Sequence, residues 1–265
     1  AGGVRSAFAA RTLQELGYEV HYVERQNRSG ECFDPGTNQM TDDPAPALAY
    51  LRQVLPRFSI GESGFSFVDL EGDCHGSGWQ ALETAVARAD FVLTVADPTW
   101  FDVLELNPRR AYVDGDPVFT QIAVDTGVGS RAIAATQYEV LFSYGTRIGA
   151  PDCSIPDAGR RWLPARPVVA TSLWNVEPGQ PDAPVGALLH WAAGSDVEYR
   201  GRVYGHKDRE FTRVVDAPAR MPRRRFALAL GGGNGQRSFL RDAGWELGDP
   251  LDATRTIEAY QSFIR

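Results

Sequence analysis

An α/β protein of two domains, each built on a mainly parallel sheet, is the fold this sequence predicts. Three observations carry the prediction. Short apolar runs alternate with helix-length segments along most of the chain. The runs end in turns carrying Gly, Asp, His or Thr, which parallel packing gathers on one edge of a sheet. A stretch without periodicity, holding Pro151, Pro156, Pro164 and Pro167, then interrupts the pattern, which restarts at Val168. The domains are therefore expected at 1–155 and 156–265, with the linker between Ala150 and Pro167.

The elements follow in order. Val4 to Leu16 sets Phe8, Leu13 and Leu16 among alanines and reads as a helix closed by Gly17. Tyr18 to Val23 alternates as a strand ending at Glu24. Glycines, helix, glycine and strand make a βαβ unit short of its first strand. Gly2 and Gly3 would then form the turn at the carboxyl end of that strand, where open α/β sheets bind ligands. The end of the chain reads as a helix from Asp252 that stops without a C-terminal signal. The chain is accordingly expected to be an internal piece of a longer protein.

Gln26 to Pro46 is polar and reads as a loop, and Ala47 to Leu55 as a short helix. Phe65 to Leu70 is a strand running into the turn Glu71 to Gly78, which carries Asp73, Cys74, His75 and Ser77. A helix from Trp79 to Arg88, strands at Phe91–Val95 and Arg110–Val113, a helix at Ala132–Gln137 and a strand at Glu139–Tyr144 complete the first half. In the second half, strands are expected at Val168–Trp174 and Leu188–Trp191, then a helix from Gly205 to about Val215. Phe226–Leu230, Gly231-Gly232-Gly233-Asn234-Gly235, a helix from Gln236 and a strand start at Gly244–Leu247 form the clearest β-turn-α-β unit. Consecutive glycines there let backbone N–H groups approach a phosphate. The spacing fits neither the dinucleotide fingerprint nor the P-loop, and a plain strand-to-helix turn is the alternative.

Composition narrows the function. The chain has 265 residues, 43% hydrophobic and 23% charged, with a net charge of −7. An acidic chain of this kind does not hold nucleic acid by bulk electrostatics, and the basic run Arg220–Arg225 is broken by Met221-Pro222. Cys32, Cys74 and Cys153 lie far apart, without a CxxC pair or disulfide framework, which fits a cytoplasmic location. No apolar run approaches the roughly 20 residues of a membrane span. Gly76-Ser77-Gly78 is too short for a hydrolase nucleophile elbow.

Four blocks carry a resemblance. They are Tyr112-Val113-Asp114-Gly115-Asp116-Pro117-Val118-Phe119-Thr120-Gln121, Phe142 to Gly149, Ile155 to Trp162, and Tyr204-Gly205-His206-Lys207-Asp208-Arg209-Glu210-Phe211. In this order they resemble bacterial glycosyltransferase-like proteins of the GT-B fold. The resemblance implies two Rossmann-like domains facing each other across a cleft, acceptor side first, with the donor domain incomplete. It implies transfer of a sugar from a nucleotide diphosphate to an acceptor hydroxyl, without metal or other cofactor. The donor sugar, nucleotide and acceptor are not specified. A sugar-nucleotide epimerase of the same plan, or a catalytically silent binding or scaffold protein, are the alternatives.

Under that reading, the reaction needs a base and groups that stabilise the departing diphosphate. His75 is the base expected from its residue type, oriented by Asp73, with Asp116 as a second catalytic candidate. A surface imidazole is the alternative for His75. Gly231, Gly232, Gly233, Asn234 and Lys207 are expected to hold the diphosphate, and Gly2, Gly3, Asp73, Ser77 and Asp114 to contact substrate. Lys207 has a second reading as a solvated helix charge paired with Glu210. Asp114-Gly115-Asp116 matches an Asp-x-Asp metal motif superficially. No further ligands cluster beside it and Pro117 ends the strand, so no metal is expected, and both carboxylates have a second reading as turn caps. His21 and His190 read as structural.

Overall fold

The computed structural model describes residues 2–96, 100–174, 180, 182–192, 196–232 and 234–264. The chain divides into two compact units, Ala1–Thr171 and Ser172–Arg265. Each is a mixed α/β structure containing parallel sheets.

The first unit opens with α1 (Gly2–Glu15), β1 (Tyr22–Arg25), a hairpin of β2 (Cys32–Asp34) and β3 (Gln39–Thr41), and α2 (Ala45–Val54). β4 (Phe65–Val68), β5 (Cys74–Gly76) and α3 (Trp79–Arg88) follow. Next come β6 (Val92–Ala96), β7 (Arg110–Asp114), α4 (Phe119–Thr126), α5 (Ser130–Thr136), β8 (Val140–Ser143) and β9 (Trp162–Pro164). Two sheets result. One has the order β1-β4-β5, with β1 parallel and β5 antiparallel to β4. The other has the order β6-β7-β8-β9 and is parallel throughout.

The apolar pattern explains the layering. Phe65 to Val68 is wholly buried, because helices and turns cover both of its faces. Val68, Leu82, Val86, Phe101, Val103 and Leu104 form one core cluster, with Val23 and Val92 packed against it. Tyr112, Tyr138, Leu141 and Trp162 form another under the four-stranded sheet. Tyr138 is sealed by Thr94, and burial pushes its phenol up to about 12.

Several expectations shift. Gly2 and Gly3 lie in the first turn of α1, not in a strand-end turn. The polar segment after Gln26 contains the β2–β3 hairpin, held at its ends by Asp34 and Asp42 accepting from local backbone N–H groups. The proline-rich stretch is not wholly a linker. Trp162–Pro164 pairs with Leu141–Ser143, because Trp162 is an apolar anchor for the second core cluster. The division between units falls after Thr171, so this strand belongs to the first unit, not to a domain starting at 156. The strand expected at Val168–Trp174 is absent. Val168 and Val169 are exposed and Thr171–Leu173 makes a 3₁₀ turn.

The second unit contains β10 (Val185–His190), a hairpin of β11 (Val197–Tyr199) and β12 (Arg202–Tyr204), and the short helices α6 (Lys207–Phe211) and α7 (Ala217–Arg220). β13 (Phe226–Gly231), α8 (Arg237–Asp242), β14 (Glu246–Gly248), α9 (Pro250–Thr254) and α10 (Ile257–Ile264) complete it. Its main sheet has the parallel order β10-β13-β14. Phe226, Leu228 and Leu230 alternate along β13 and point into one core with Leu240 and Trp245. A chain of edge-packed rings, Trp191, Phe211, Trp245 and Phe226, ties α6 to that core. The β-turn-α-β order read from Phe226 onwards holds, with a 3₁₀ turn at Asn234–Gln236 before α8. Among the described residues, no helix is long and apolar enough to cross a membrane.

Candidate functional site

Each unit gathers polar residues at the carboxyl ends of its parallel strands, where crossover topology leaves loops free to vary. The first unit has two such groups.

In the smaller sheet, Asp69 follows β4 and His75 is the central residue of β5. His75 Nε2 lies 2.6 Å from Asp69 Oδ2. The ionised carboxylate accepts, so Nε2 is the donor of this pair, and a carboxylate-held imidazole is the arrangement of an oriented base. Asp69 is 8% exposed and His75 is 31% exposed at the side chain. Burial pushes the Asp69 carboxyl up, but hydrogen bonds from His75 and from the Asp73 N–H outweigh it and hold it below the usual carboxylate range. Asp73 therefore does not orient His75. It is exposed, its N–H donates to Asp69 Oδ1 at 2.9 Å, and its carbonyl accepts from the Asp69 N–H. Gly76 ends the hairpin at φ +82°, where a Cβ would lie 2.5 Å from the Phe65 carbonyl oxygen.

Ser77 faces inward. Its Oγ lies 2.7 Å from Ser66 Oγ and 3.4 Å from His21 Nε2, and His21 is 2.9 Å from Ser66. Burial pushes the His21 imidazole down against the opposing field of Glu19, so it favours the neutral form. This triangle joins the start of β1 to β4. The Ser77 hydroxyl, expected to contact substrate, is engaged in this triangle.

In the four-stranded sheet, the ends of β7 and β8 are locked by Asp114, which is completely buried. Its Oδ2 accepts from Gln121 Nε2 and Ser143 Oγ, both at 2.8 Å, and its Oδ1 from the Asp116 N–H at 3.1 Å. Gln121 Oε1 in turn accepts from the Val118 N–H at 2.7 Å, and Ser143 Oγ from the Gly145 N–H at 3.1 Å. Two loops and a helix are thus pinned to one carboxylate. Asp114, expected to contact substrate, has no exposed surface. Asp116 points the other way and pairs with Arg131 at 3.0 Å. Val118 is held at φ +88° and ψ −62°, a conformation that β-branched residues avoid. Among the described residues, no group of three or more His, Cys, Asp or Glu side chains is arranged to hold a metal ion.

The second unit assembles the other group. His190 and Gly231 are paired partners at the ends of β10 and β13. The imidazole lies over the turn. A Cβ on Gly231 would be 2.9 Å from His190 Nδ1, and one on Gly232 would be 3.3 Å from Nε2. Gly232 adopts φ +66°, which only glycine takes readily. The Trp191 N–H donates to the Gly231 carbonyl, and the Asp208 N–H to the Trp191 carbonyl. That ladder brings the start of α6, and with it Lys207, to the same strand end. Lys207 is exposed and has no ion pair among the described residues, since Glu210 pairs with Arg213 instead. Arg237 reaches back from α8 to the Leu230 carbonyl at 2.8 Å.

His190 and Arg237 are the residues that sequence reading missed. His190 sits beside Trp191 and reads as a core residue, yet it is exposed at the strand end. The usable signal was its position at the end of an apolar run, the same signal that marked Gly231. Gly233 lies outside the described residues, and so does the Asn234 side chain. No family model matches the chain, and neither a curated protein nor a solved structure is significantly similar to it.

Proposed function

We propose that this chain is a glycosyltransferase of the GT-B plan, moving a sugar from a nucleotide diphosphate to an acceptor hydroxyl. In this reading the second unit carries the donor site and the first unit the acceptor site. The observation that supports it is the group at the end of β10 and β13. An imidazole lies against the glycine turn, Arg237 reaches the Leu230 carbonyl just before it, and α6, which begins at Lys207, starts beside the same strand end. Backbone N–H groups, His190, Lys207 and Arg237 are donors of the kind that bind phosphate oxygens. The turn precedes a helix of only six residues, so side-chain and backbone donors supply most of the attraction. His75, oriented by Asp69, is the base that takes the acceptor proton through Nδ1. Asp116 is the second candidate, in competition with its ion pair to Arg131. No metal step is part of the proposal.

Thermal shift against uridine, guanosine, adenosine and thymidine diphosphates tests the reading. Binding to the native state raises the midpoint with ligand concentration by mass action. One diphosphate is expected to stabilise the protein, and Lys207→Ala to remove most of that shift without changing the unliganded midpoint. Release of free nucleotide diphosphate from the matching sugar donor then identifies transfer or hydrolysis. Nucleotide binding without turnover favours the silent binding protein, a reading supported by the burial of Asp114. No stabilisation by any diphosphate removes the donor-site assignment.

A further inference from the structure

We propose that the first unit carries a binding site for a small organic anion beside the amino ends of β8 and β9. Two of the sequence blocks to which the proposed transfer gives no role, Phe142 to Gly149 and Ile155 to Trp162, meet there around one cavity. Ile148 and Gly149 of the first block line it, together with Asp157 and the run Gly159 to Trp162 of the second. Its volume of about 420 Å³ lies within the usual range for small-molecule pockets. Asp114 and Asp116 stand at the carboxyl end of the sheet, so this cavity is not part of their group.

A tight turn builds one wall. The Arg160 N–H donates to the Asp157 carbonyl at 3.0 Å across Ala158 and Gly159, which both have positive φ, +54° and +66°. That is the pattern of a type I′ turn, whose central positions suit Gly, Asn or Asp and not Ala. Backbone held in this way clusters at ligand sites. Trp162 keeps the turn in place. Its Nε1–H donates to the Asp157 carbonyl at 3.0 Å, and its ring belongs to the core cluster under the four-stranded sheet. The turn therefore delivers Arg160 and Arg161 to the cavity from a fixed base.

The charges there are unspent. Arg160 is half-buried and donates from Nη2 to the Tyr138 carbonyl at 2.8 Å, which fixes it at the cavity wall. Arg161 is exposed. Neither forms an ion pair among the described residues, although Asp157 lines the same cavity. Other arginines of the unit do pair, Arg110 with Glu139 and Arg147 with Asp152. Asp157 Oδ1 instead accepts from the Gly159 N–H at 3.0 Å. Two guanidinium groups against one such carboxylate leave the cavity cationic. Guanidinium forks take a carboxylate or a phosphate through paired N–H bonds. Ile148, packed on the core cluster, and Trp162 supply an apolar wall beside them. The ligand class is accordingly a carboxylate or phosphate carried on an apolar ring, not a bare inorganic ion.

Thermal-shift titration of residues 1–265 with phenyl phosphate, benzoate, inorganic phosphate and the neutral benzyl alcohol tests this. Phenyl phosphate or benzoate is expected to raise the melting midpoint with concentration, the stronger of the two naming the anionic group. Inorganic phosphate and benzyl alcohol are expected to have little effect. Arg161→Ala is expected to weaken the aryl anion about tenfold without moving the unliganded midpoint, because Arg161 is exposed and makes no ion pair. Arg161→Lys is expected to fall between the two, since an ammonium lacks the fork. Lys207→Ala, in the second unit, is expected to leave the shift intact, which separates this site from the glycine turn. No shift with either aryl anion, or an equal shift with inorganic phosphate, would overturn the proposal. So would Arg161→Ala binding as tightly as the parent, or loss of the shift in Lys207→Ala.

Discussion

Asp69 Oδ2 and His75 Nε2 stand 2.6 Å apart across the β4–β5 hairpin, joining a carboxylate at the end of one strand to an imidazole in the middle of the next. The pair is local, six residues apart, and rests on the tight turn closed by Asp69 and Asp73. It makes His75 a fixed group and not a swinging surface side chain.

The first prediction concerns acid stability. Asp69 is held below the ordinary carboxylate range, so the native state binds its proton less readily than the unfolded chain. A depressed carboxyl contributes stability that is present above its unfolded value, near 3.9, and is lost as pH falls through the folded value. Asp69→Asn is therefore expected to destabilise the protein at pH 7 and to flatten the fall in stability below about pH 4. Urea midpoints at pH 7 and pH 3 measure both effects. Parallel pH curves for the two proteins would remove Asp69 from the account.

A second prediction separates structure from chemistry at Asp114. Removing a buried acceptor strands its donors, here Gln121 Nε2 and Ser143 Oγ, at roughly 1–3 kcal/mol each. Asp114→Ala is expected to lower unfolding free energy by about 3 kcal/mol or more, and Asp114→Asn by less. Urea denaturation is the measurement. An Asp114→Ala protein of normal stability that has lost ligand binding would restore the substrate role read from the sequence.

Much of the architecture was legible because it follows from local chemistry. Alternation of apolar runs with helical segments marked β4, α3, β6, β7, β8 and β13. The elements that were missed depend on partners distant in sequence. Trp162–Pro164 is too short and proline-rich to read as a strand, and becomes one because Leu141 and Tyr138 anchor Trp162. Phe119–Thr126 follows so closely on the Asp114–Pro117 turn that only the Gln121 contact reveals its start. At the candidate sites, residue type found His75 and the glycine turn. It did not find Asp69, because a carboxylate closing a strand looks the same as one capping a turn.

The third prediction tests stored strain. Val118 sits at φ +88° and ψ −62°, held by Gln121 Oε1. Such conformations cost of order 1–3 kcal/mol for a non-glycine residue. Val118→Gly is expected to be neutral or stabilising by about 1 kcal/mol, in contrast to the loss usual for valine to glycine. A loss of more than about 2 kcal/mol in thermal or urea unfolding would show that Val118 packing outweighs its backbone strain.

The last prediction isolates the contact that defines the second unit's strand end. A methyl group on Gly231 would come within 2.9 Å of His190 Nδ1, so the imidazole must turn aside. Gly231 itself has ordinary backbone geometry, which makes Gly231→Ala a cleaner probe than Gly232→Val, where φ +66° adds strain of its own. Gly231→Ala is expected to weaken nucleotide-diphosphate binding about tenfold with a small change in melting midpoint. His190→Ala is expected to weaken it by a similar factor through loss of the imidazole. If both act through one displaced ring, the double variant is no weaker than either single one, because neighbours in contact do not add. A thermal-shift titration of the four proteins gives the coupling. Fully additive losses would mean that Gly231 serves the ligand through its own backbone and that His190 acts independently of the turn.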